Sequence, residues 1–329
     1  MQQNTLRWFH PVLPARALKA RPRRVLLGGR AWALFRGVDG RPAAVADRCA
    51  HRFAPLSDGR VAADGRLACP YHGWRYDGAG RGESATQAGL GCKVDALQVV
   101  ERHGWLWLAR HDADAATFPE VGEAGYVPAG GFSVRFDAPL ALVLDNFGED
   151  EHLPWVHTRL GWDAAHLGEV VHETRTFPDR TEVAWRGPQR RSLLVHLLLL
   201  RPGDRFENEW VHRFDPVRAS YRMSWRAPDG RVRPFRTRVD IFFVPESPET
   251  TRVTVFPHVR IEPPFLRVLL PLVTRATRFL GFLEARDDAR FLARMHGVPA
   301  SLEGARLGRF DQALVHNRAL LRRLYEEAG

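Results

Sequence analysis

The stretch LACPYHGWRYDG, residues 67–78, places a cysteine three residues before a histidine within a run of glycine and aromatic residues. A second Cys–His pair lies upstream in DRCAHRFAPLSDGR, residues 47–60. The four residues follow the pattern Cys49-x-His51, seventeen intervening residues, and Cys69-x-x-His72. Because the chain has only three cysteines and 14 histidines in 329 residues, this double pairing indicates one metal or cluster site built from two loops.

Two kinds of site fit four such ligands, namely structural zinc and a [2Fe–2S] cluster. Structural zinc sites commonly pair like ligands locally, with C-x₂₋₄-C and H-x₃₋₅-H spacing. Here each loop supplies one cysteine and one histidine, which suits a two-iron cluster with both thiolates on one iron and both imidazoles on the other. A zinc knuckle or core histidines are the alternatives. Gly73 lets the backbone turn tightly after the second pair, and the third cysteine, Cys92, is expected to be an inert core thiol.

The segments RCAHRFAPLSDGRV and CPYHGWRYDGAG resemble the two ligand loops of Rieske iron–sulfur proteins. The resemblance covers both loops and their spacing. It implies a Rieske [2Fe–2S] cluster held by Cys49, His51, Cys69 and His72.

A second group of polar residues lies in NFGEDEHLPWVH, residues 146–157. His152 and His157 are five residues apart, so on a straight helix they would point about 140° away from each other. They can converge only if the helix is locally widened or broken, and Pro154 between them prevents a regular hydrogen-bond ladder. Two histidines and one carboxylate form the facial triad of non-haem Fe(II) oxygenases, so this spacing predicts two ligands of a mononuclear iron.

The third ligand is expected in FLEARDDARFLARM, residues 282–295. Asp287 and Asp288 are adjacent there on a predicted helix and therefore point in different directions, so only one can reach the iron. The residues themselves leave both open.

The resemblance extends to the Rieske non-haem iron oxygenases, specifically to short oxygenase components similar to vanillate demethylase and pheophorbide oxygenase. Their motif Asn-x-x-Asp-x-x-His-x₄-His matches, in order, Asn146, Glu149, His152 and His157. A late aspartate followed four residues on by leucine matches Asp288 and favours it over its neighbour.

One position departs from that motif. The family usually has aspartate where this chain has Glu149, although a subset acting on quaternary amines is similar in using glutamate. The resemblance implies that this carboxylate carries electrons between the two iron centres, and Asp150 is the reserve candidate for that role.

The resemblance implies a terminal oxygenase that uses O₂ as co-substrate for monooxygenation, including O- or N-demethylation, of a small, aromatic substrate. The chain has no flavin or NAD fingerprint, so a separate NAD(P)H-dependent reductase, with or without a ferredoxin, is required. Family members are typically head-to-tail homotrimers. Alternatives are cis-dihydroxylation or desaturation by the same centres, and a non-enzymatic redox or ligand-binding protein.

The organisation of the chain predicts an α+β fold in two domains. Residues 23–110 contain short strands separated by turns, which indicates an all-β domain over residues 1–115. Residues 116–329 form the second domain, with a helical segment at 140–161, alternating strand patterns up to residue 261 and helices towards the end. The resemblance implies a Rieske domain followed by a helix-grip catalytic domain with an antiparallel sheet.

Charge and hydropathy bear on partners and location. The net charge of +10 comes almost entirely from arginines dispersed along the chain, so we expect no nucleic-acid partner. The apolar stretch 192–200 is too short to cross a membrane, and 263–283 carries three arginines, so we expect no membrane insertion. With few cysteines and no apolar leader, the chain is expected to be cytoplasmic.

Overall fold

The structure is a computed structural model. It describes residues 2–157, 159, 161–162, 164–190, 200–201, 203–262, 264–295 and 301–326. The described residues form two compact units, one from residues 2–119 with Val244–Pro248 and the other from Glu120–Phe243 with residues 249–326. The boundary predicted from composition lies after residue 115, and the units divide after Pro119. The first unit contains both Cys–His loops, and the second contains the motif at residues 146–157.

Two antiparallel sheets build the described part of the first unit, after a short helix α1 (Gln2–Thr5). The larger sheet contains β1 (His10–Pro14), β2 (Arg23–Leu27), β3 (Arg30–Arg36), β4 (Pro42–Ala46), β10 (Ala96–Arg102) and β11 (Trp105–Ala109). Its strand order is β1-β11-β10-β4-β3-β2, and every residue of β11 is buried. The smaller sheet contains, in order, β5 (Arg60–Val61), β6 (Leu67–Ala68), β7 (Arg75–Tyr76), β8 (Arg81–Glu83) and β9 (Gly91–Lys93). The smaller sheet holds the segment between and after the two Cys–His loops.

One antiparallel sheet dominates the second unit. Its strands are β12 (Val127–Pro128), β13 (Phe132–Phe136), β14 (Val171–Phe177), β15 (Arg180–Pro188), β16 (Arg205–Phe214), β17 (Val217–Arg226), β18 (Phe235–Ser247) and β19 (Thr250–Ile261). The order is β12-β19-β18-β17-β16-β15-β14, and β13 also pairs with β19. Buried and less buried residues alternate along β16, because successive side chains point to opposite faces of a strand.

The main helices of the second unit are α2 (Leu140–Asn146), α3 (Leu153–Val156), α4 (Leu270–Leu292) and α5 (Gln312–Leu321). The helical segment predicted at 140–161 is interrupted, since residues 147–152 are not helical and α3 starts with Pro154 in its first turn. The chain therefore breaks the helix at this point and does not widen it. Helix α4 packs against β13 and β19.

Short 3₁₀ segments connect these elements at Ala15–Ala17, Leu56–Asp58, Ala115–Thr117, Ala164–Glu169, Pro264–Leu269 and Ala293–Met295. Within the described ranges, no helix is both long enough and apolar enough to span a membrane. The apolar stretch 192–200 lies, except for its last residue, outside the described residues. The strands of the first unit, and the antiparallel sheet and long helix of the second, confirm the predicted α+β class.

Candidate metal centres and cavity

The two Cys–His loops share one backbone hydrogen-bonding pattern. In each loop the cysteine N–H donates to the carbonyl five residues on, at 2.9 Å from Cys49 and 2.7 Å from Cys69. The N–H four residues after each cysteine donates back to the cysteine carbonyl, at 2.9 Å from Phe53 and 3.1 Å from Gly73. Those two residues have left-handed backbones, with φ of 63° and 72°. The tight turn predicted at Gly73 is thus present, and Phe53 makes the equivalent turn in the first loop.

The cysteine and histidine side chains of the loops differ in solvent exposure. The Cys49 and Cys69 side chains are 1% and 4% exposed, while His51 and His72 are exposed with ring centroids 4.7 Å apart. Burial and the adjacent Cys49 raise the pKa of the Cys69 thiol, while N–H groups from Tyr71 and His72 donate to its sulfur and oppose that shift. Two neighbouring buried sulfurs, of which that of Cys69 accepts N–H donors, with two imidazoles beside them, fit a cluster with thiolate and imidazole ligands.

Tyr76 extends this group, and the sequence patterns did not identify it. Its hydroxyl oxygen lies 3.1 Å from the Cys49 sulfur, accepts the N–H of Ala50 at 3.0 Å, and lies 3.6 Å from the sulfur of Cys92. Burial and the contact with Cys49 raise the pKa of Tyr76, so the phenol keeps its proton. Because Ala50 and Cys92 occupy the two acceptor positions of the hydroxyl, its proton is directed at the Cys49 sulfur. Cys92 is half-buried and is therefore not a fully enclosed core thiol.

The break after α2 positions Glu149 against His152. One carboxylate oxygen of Glu149 accepts the backbone N–H groups of Glu151 and His152, and the other lies 2.5 Å from His152 Nδ1. The pair meets across a turn and not along a helix face. With Nδ1–H donated to Glu149, the Nε2 atom of His152 is the free ligand atom of the ring.

Three ligand atoms converge in the second unit: Nε2 of His152, Nε2 of His157 and Oδ1 of Asp288. The two nitrogens are 3.3 Å apart, and Oδ1 lies 3.6 Å from His152 and 3.2 Å from His157. Three adjacent ligands at about 2.1 Å from a metal ion would lie about 3 Å apart. Oδ1 of Asp288 is buried without a hydrogen-bond partner in the described part of the chain. The three residues therefore fit a metal ion.

The electrostatics of this triad favour positive charge. Burial opposes protonation of His157, but the Asp288 and Glu284 carboxylates outweigh it and raise the pKa of His157 to about 10. The pKa of His152 is also raised, because Glu149 and Asp288 outweigh its burial. A bound cation would compensate the same carboxylates.

Glu284 is a further residue that the sequence patterns missed. Its Oε2 lies 2.6 Å from Nδ1 of His157, so both imidazoles of the triad have a carboxylate at Nδ1. It precedes Asp288 by one turn of α4, which places both carboxylates on one helix face. Arg159 contacts Glu284 at 3.4 Å and Asp287 at 2.6 Å. This contact lowers the pKa of Asp287, and the Asp287 carboxylate is not among the three groups that converge.

The remaining predicted residues lie close to the triad. The Asp150 carboxylate is 2% exposed and lies 3.1 Å from Nδ1 of His172. Burial raises the pKa of Asp150 to about 6, against the effect of His172. Asp150 thus makes its hydrogen bond to His172, whereas Glu149 makes one to the triad. Asn146 is buried, and its Nδ2 has no hydrogen-bond partner among the described residues.

A cavity of about 220 Å³ begins at the triad and extends over the inner face of the sheet. Its walls are mainly apolar and aromatic. Phe206, Trp225 and Phe235 stack in series across three strands, with ring centroids 5.0 and 5.4 Å apart. A mainly apolar cavity with a few polar groups at one end is the usual form of a small-molecule site.

Known proteins resemble the chain in both sequence and fold. Residues 8–94 match the family model of the Rieske [2Fe-2S] domain. The chain is 36% identical over 162 residues to the oxygenase component of dicamba O-demethylase from Stenotrophomonas maltophilia, covering 46% of each protein. It is 36% identical over 155 residues to chloroplastic chlorophyllide a oxygenase from Arabidopsis thaliana, covering 44% of this chain and 28% of that protein. The chain thus spans less than half the length of these relatives.

A solved structure extends the likeness in fold. The crystal structure of dicamba monooxygenase bound to 3,6 dichlorosalicylic acid aligns over 97% of both chains with a TM-score of 0.72 and 22% identity. At that identity, the alignment shows a shared fold.

Proposed function

We infer that this chain is the terminal component of an oxygenase system. It is a Rieske non-haem iron oxygenase alpha subunit related to dicamba O-demethylase and chlorophyllide a oxygenase. The reaction that we propose is O₂-dependent monooxygenation, by hydroxylation or by O- or N-demethylation, of a small, mainly apolar ring compound. The name of the Stenotrophomonas relative describes an O-demethylase, which supports this reaction class.

The observation that carries the proposal is the position of the triad at one end of an apolar cavity. Cys49, His51, Cys69 and His72 would hold the [2Fe–2S] cluster, and His152, His157 and Asp288 would hold the mononuclear iron. When bound, the cluster supplies single electrons and the iron activates O₂. A triad with three protein ligands leaves positions open towards the cavity, where a substrate would lie.

The chain's own residues would orient the ligands and exclude water. Glu149 is hydrogen-bonded to Nδ1 of His152, and the Glu284 carboxylate lies beside Nδ1 of His157, so the two carboxylates would orient both rings with Nε2 towards Asp288. The aromatic walls of the cavity exclude water from the reacting region. Glu149, by its contact with His152, is the carboxylate that we propose as the electron bridge, in preference to Asp150.

We propose that electrons come from a separate reductase, with or without a ferredoxin. The exposed imidazoles of His51 and His72 make the edge of the cluster site accessible to such a donor. We further propose a homotrimer, in which the bridging carboxylate serves the cluster of a neighbouring copy. A cytoplasmic location remains the prediction from the sequence.

Metal analysis of the purified, reconstituted protein tests the proposal. We expect about three irons per chain, two in the cluster and one mononuclear. Asp288→Ala should lose the mononuclear iron and keep the cluster spectrum, whereas the matched control Asp287→Ala should keep all three. About two irons in the wild type would instead indicate a redox or ligand-binding protein, and zinc in place of iron would refute both readings.

Product analysis with a promiscuous reductase and a panel of substrates then defines the reaction. A product with one added oxygen atom or one methyl group fewer supports monooxygenation. A cis-diol product would instead indicate dihydroxylation, and a product with a new double bond would indicate desaturation.

A further inference from the structure

Two polar side chains that are not part of the triad lie among the apolar residues of the cavity wall. Asn208 and Thr237 are 5% and 4% exposed and line the cavity wall. Among the described residues, Asn208 Oδ1 and Thr237 Oγ1 have no hydrogen-bond partner. Leaving a buried polar atom unpaired costs about 1–3 kcal/mol, so such atoms normally have a partner.

The sheet register places these two residues in one row. Asn208 on β16 pairs with Met223 on β17, and Met223 pairs with Thr237 on β18. Paired residues point to the same face of a sheet, so the two polar groups flank the Met223 side chain. Adjacent strands lie about 4.8 Å apart, which puts the two polar residues about 10 Å from each other.

The rows on either side show where a ligand would lie. On one side is the row containing Tyr221, whose hydroxyl donates to the Phe147 carbonyl at 2.5 Å. On the other side is the stacked aromatic row containing Trp225, whose indole N–H donates to Gln189 at 2.6 Å. Tyr221 and Trp225 therefore already have partners, and the middle row offers its polar atoms to a ligand.

The charges of the described lining residues disfavour an anionic ligand. No lysine or arginine is among the described lining residues, and Glu149, Asp150, Glu284 and Asp288 all line the end near the triad. A carboxylate ligand in the apolar part of the cavity would have no described lysine or arginine to pair with, and a metal ion at the triad would already be compensating the acids that hold it, so burying the carboxylate there is unfavourable. The volume of about 220 Å³ exceeds the cavity of about 150 Å³ that accommodates benzene, so one or two rings fit.

We propose that Asn208 and Thr237 determine substrate specificity by hydrogen-bonding an uncharged one- or two-ring compound through an N–H or O–H group lying over Met223. This inference rests on the proposed function for the identity of the site, and it specifies the substrate class. Each hydrogen bond should contribute about 0.5–1.5 kcal/mol, which corresponds to about 2- to 12-fold in affinity.

The test uses four probes with one methoxyphenyl ring, titrated calorimetrically into anaerobic holoenzyme without reductase. They are 4-methoxybenzamide, 4-methoxytoluene, 4-methoxybenzoate and (4-methoxyphenyl)trimethylammonium. The amide should bind at least about 5-fold more tightly than the toluene analogue. Both charged probes should bind more weakly than the amide, because the carboxylate has no described cation to pair with and the trimethylammonium group has no N–H to donate to Asn208 or Thr237. Tighter binding of either charged probe, or no measurable binding of any probe, would overturn the inference.

Variants identify the residues responsible. Asn208→Leu and the near-isosteric Thr237→Val should each reduce the preference for the amide over the toluene analogue by about 2- to 12-fold. Met223→Leu in the same row should change the affinity for both probes equally. Because neither polar atom has a partner among the described residues, the two test variants should keep or raise the melting temperature. If the two test variants kept the full amide preference, Asn208 and Thr237 would not determine specificity. If they instead had a lowered melting temperature and bound all probes more weakly, the two residues would have a structural role.

The binding assay also separates this inference from the proposed function. If the protein oxygenates a substrate but shows no preference for the amide, the specificity inference is overturned and the proposed oxygenase function stands. Amide preference in a protein that lacks the mononuclear iron would leave the cavity inference standing and refute the oxygenase.

Discussion

Tyr76→Phe is expected to lower the reduction potential of the cluster. The hydroxyl lies 3.1 Å from the Cys49 sulfur, is fully buried, and has its acceptor positions occupied by Ala50 and Cys92. Its proton therefore stabilises negative charge on that sulfur. Reduction adds an electron to the cluster, so the hydrogen bond is stronger in the reduced state, and hydrogen bonds to the sulfurs are among the factors that set such potentials.

The magnitude follows from the strength of such a bond. A hydrogen bond to a charged group contributes about 1.5–3 kcal/mol, and we assign about 1 kcal/mol of this to the difference between redox states. Since a tenfold change in a one-electron equilibrium equals 59 mV, 1 kcal/mol corresponds to a fall of about 40 mV. The potential would be measured by redox titration of the visible absorption or the EPR signal of the holoenzyme.

The chain offers a matched control in the same loop. Tyr71 is 57% exposed, and the donor in its contact with the Cys69 sulfur is its backbone N–H, so Tyr71→Phe should leave the potential unchanged. Cys92→Ala should give a smaller fall than Tyr76→Phe, because it removes the longer contact of 3.6 Å and frees the hydroxyl to rotate. An unchanged or raised potential in Tyr76→Phe, or an equal fall in Tyr71→Phe, would refute this account of the hydroxyl.

Three further predictions concern other parts of the chain. Glu149→Ala, reconstituted with excess iron, should retain about three irons yet lose most turnover, and full activity in that variant would remove Glu149 from the electron path. Glu284→Gln should weaken mononuclear iron binding about 10- to 100-fold in a chelator titration, since the carboxylate orients His157; unchanged affinity would make the contact incidental. His10 is buried with Nε2 at 2.9 Å from the Thr5 carbonyl, and burial lowers its pKa to about 4. From pH 7 to pH 5 the His10 imidazole gains a proton in the unfolded chain but not in the folded chain, so the free energy of unfolding should fall by about 2 kcal/mol. Urea denaturation at the two pH values would measure this fall, and the His10→Gln variant should not show it.

The Cys–His loops were accessible to sequence reasoning because each ligand pair lies within four residues. A local pattern of this kind specifies its own turn, as Gly73 shows by its left-handed backbone. The break between Asn146 and Leu153 was accessible for a similar reason, because Pro154 and the spacing of the two histidines exclude a regular helix. That the seven predicted ligands bind iron remains a prediction, although three of them converge in the structure.

Residues that act through distant partners were not accessible. Tyr76 lies within the opening stretch, but nothing in its local sequence indicates that its hydroxyl reaches a cysteine 27 residues earlier. Glu284 could have been suspected only from its spacing of one turn before Asp288 on α4. Its contact with His157 depends on the packing of α4 against a segment more than a hundred residues away.

The orientation of Asn208 and Thr237 towards the cavity depends on strand register most strongly. Side chains alternate between the two faces of a strand, so a slip of one residue in β16 would turn Asn208 away from the cavity and bring Glu207 and Glu209 to that face. Two carboxylates would then be buried among aromatic rings without a cation, at a cost of several kcal/mol each. The same alternation that buries Phe206 and Trp210 therefore keeps Asn208 directed at the ligand. Substrate selection at this site is thus tied to the register that stabilises the sheet, so a specificity change is expected to require substitutions at inward-facing positions of β16–β18 that preserve the pairing.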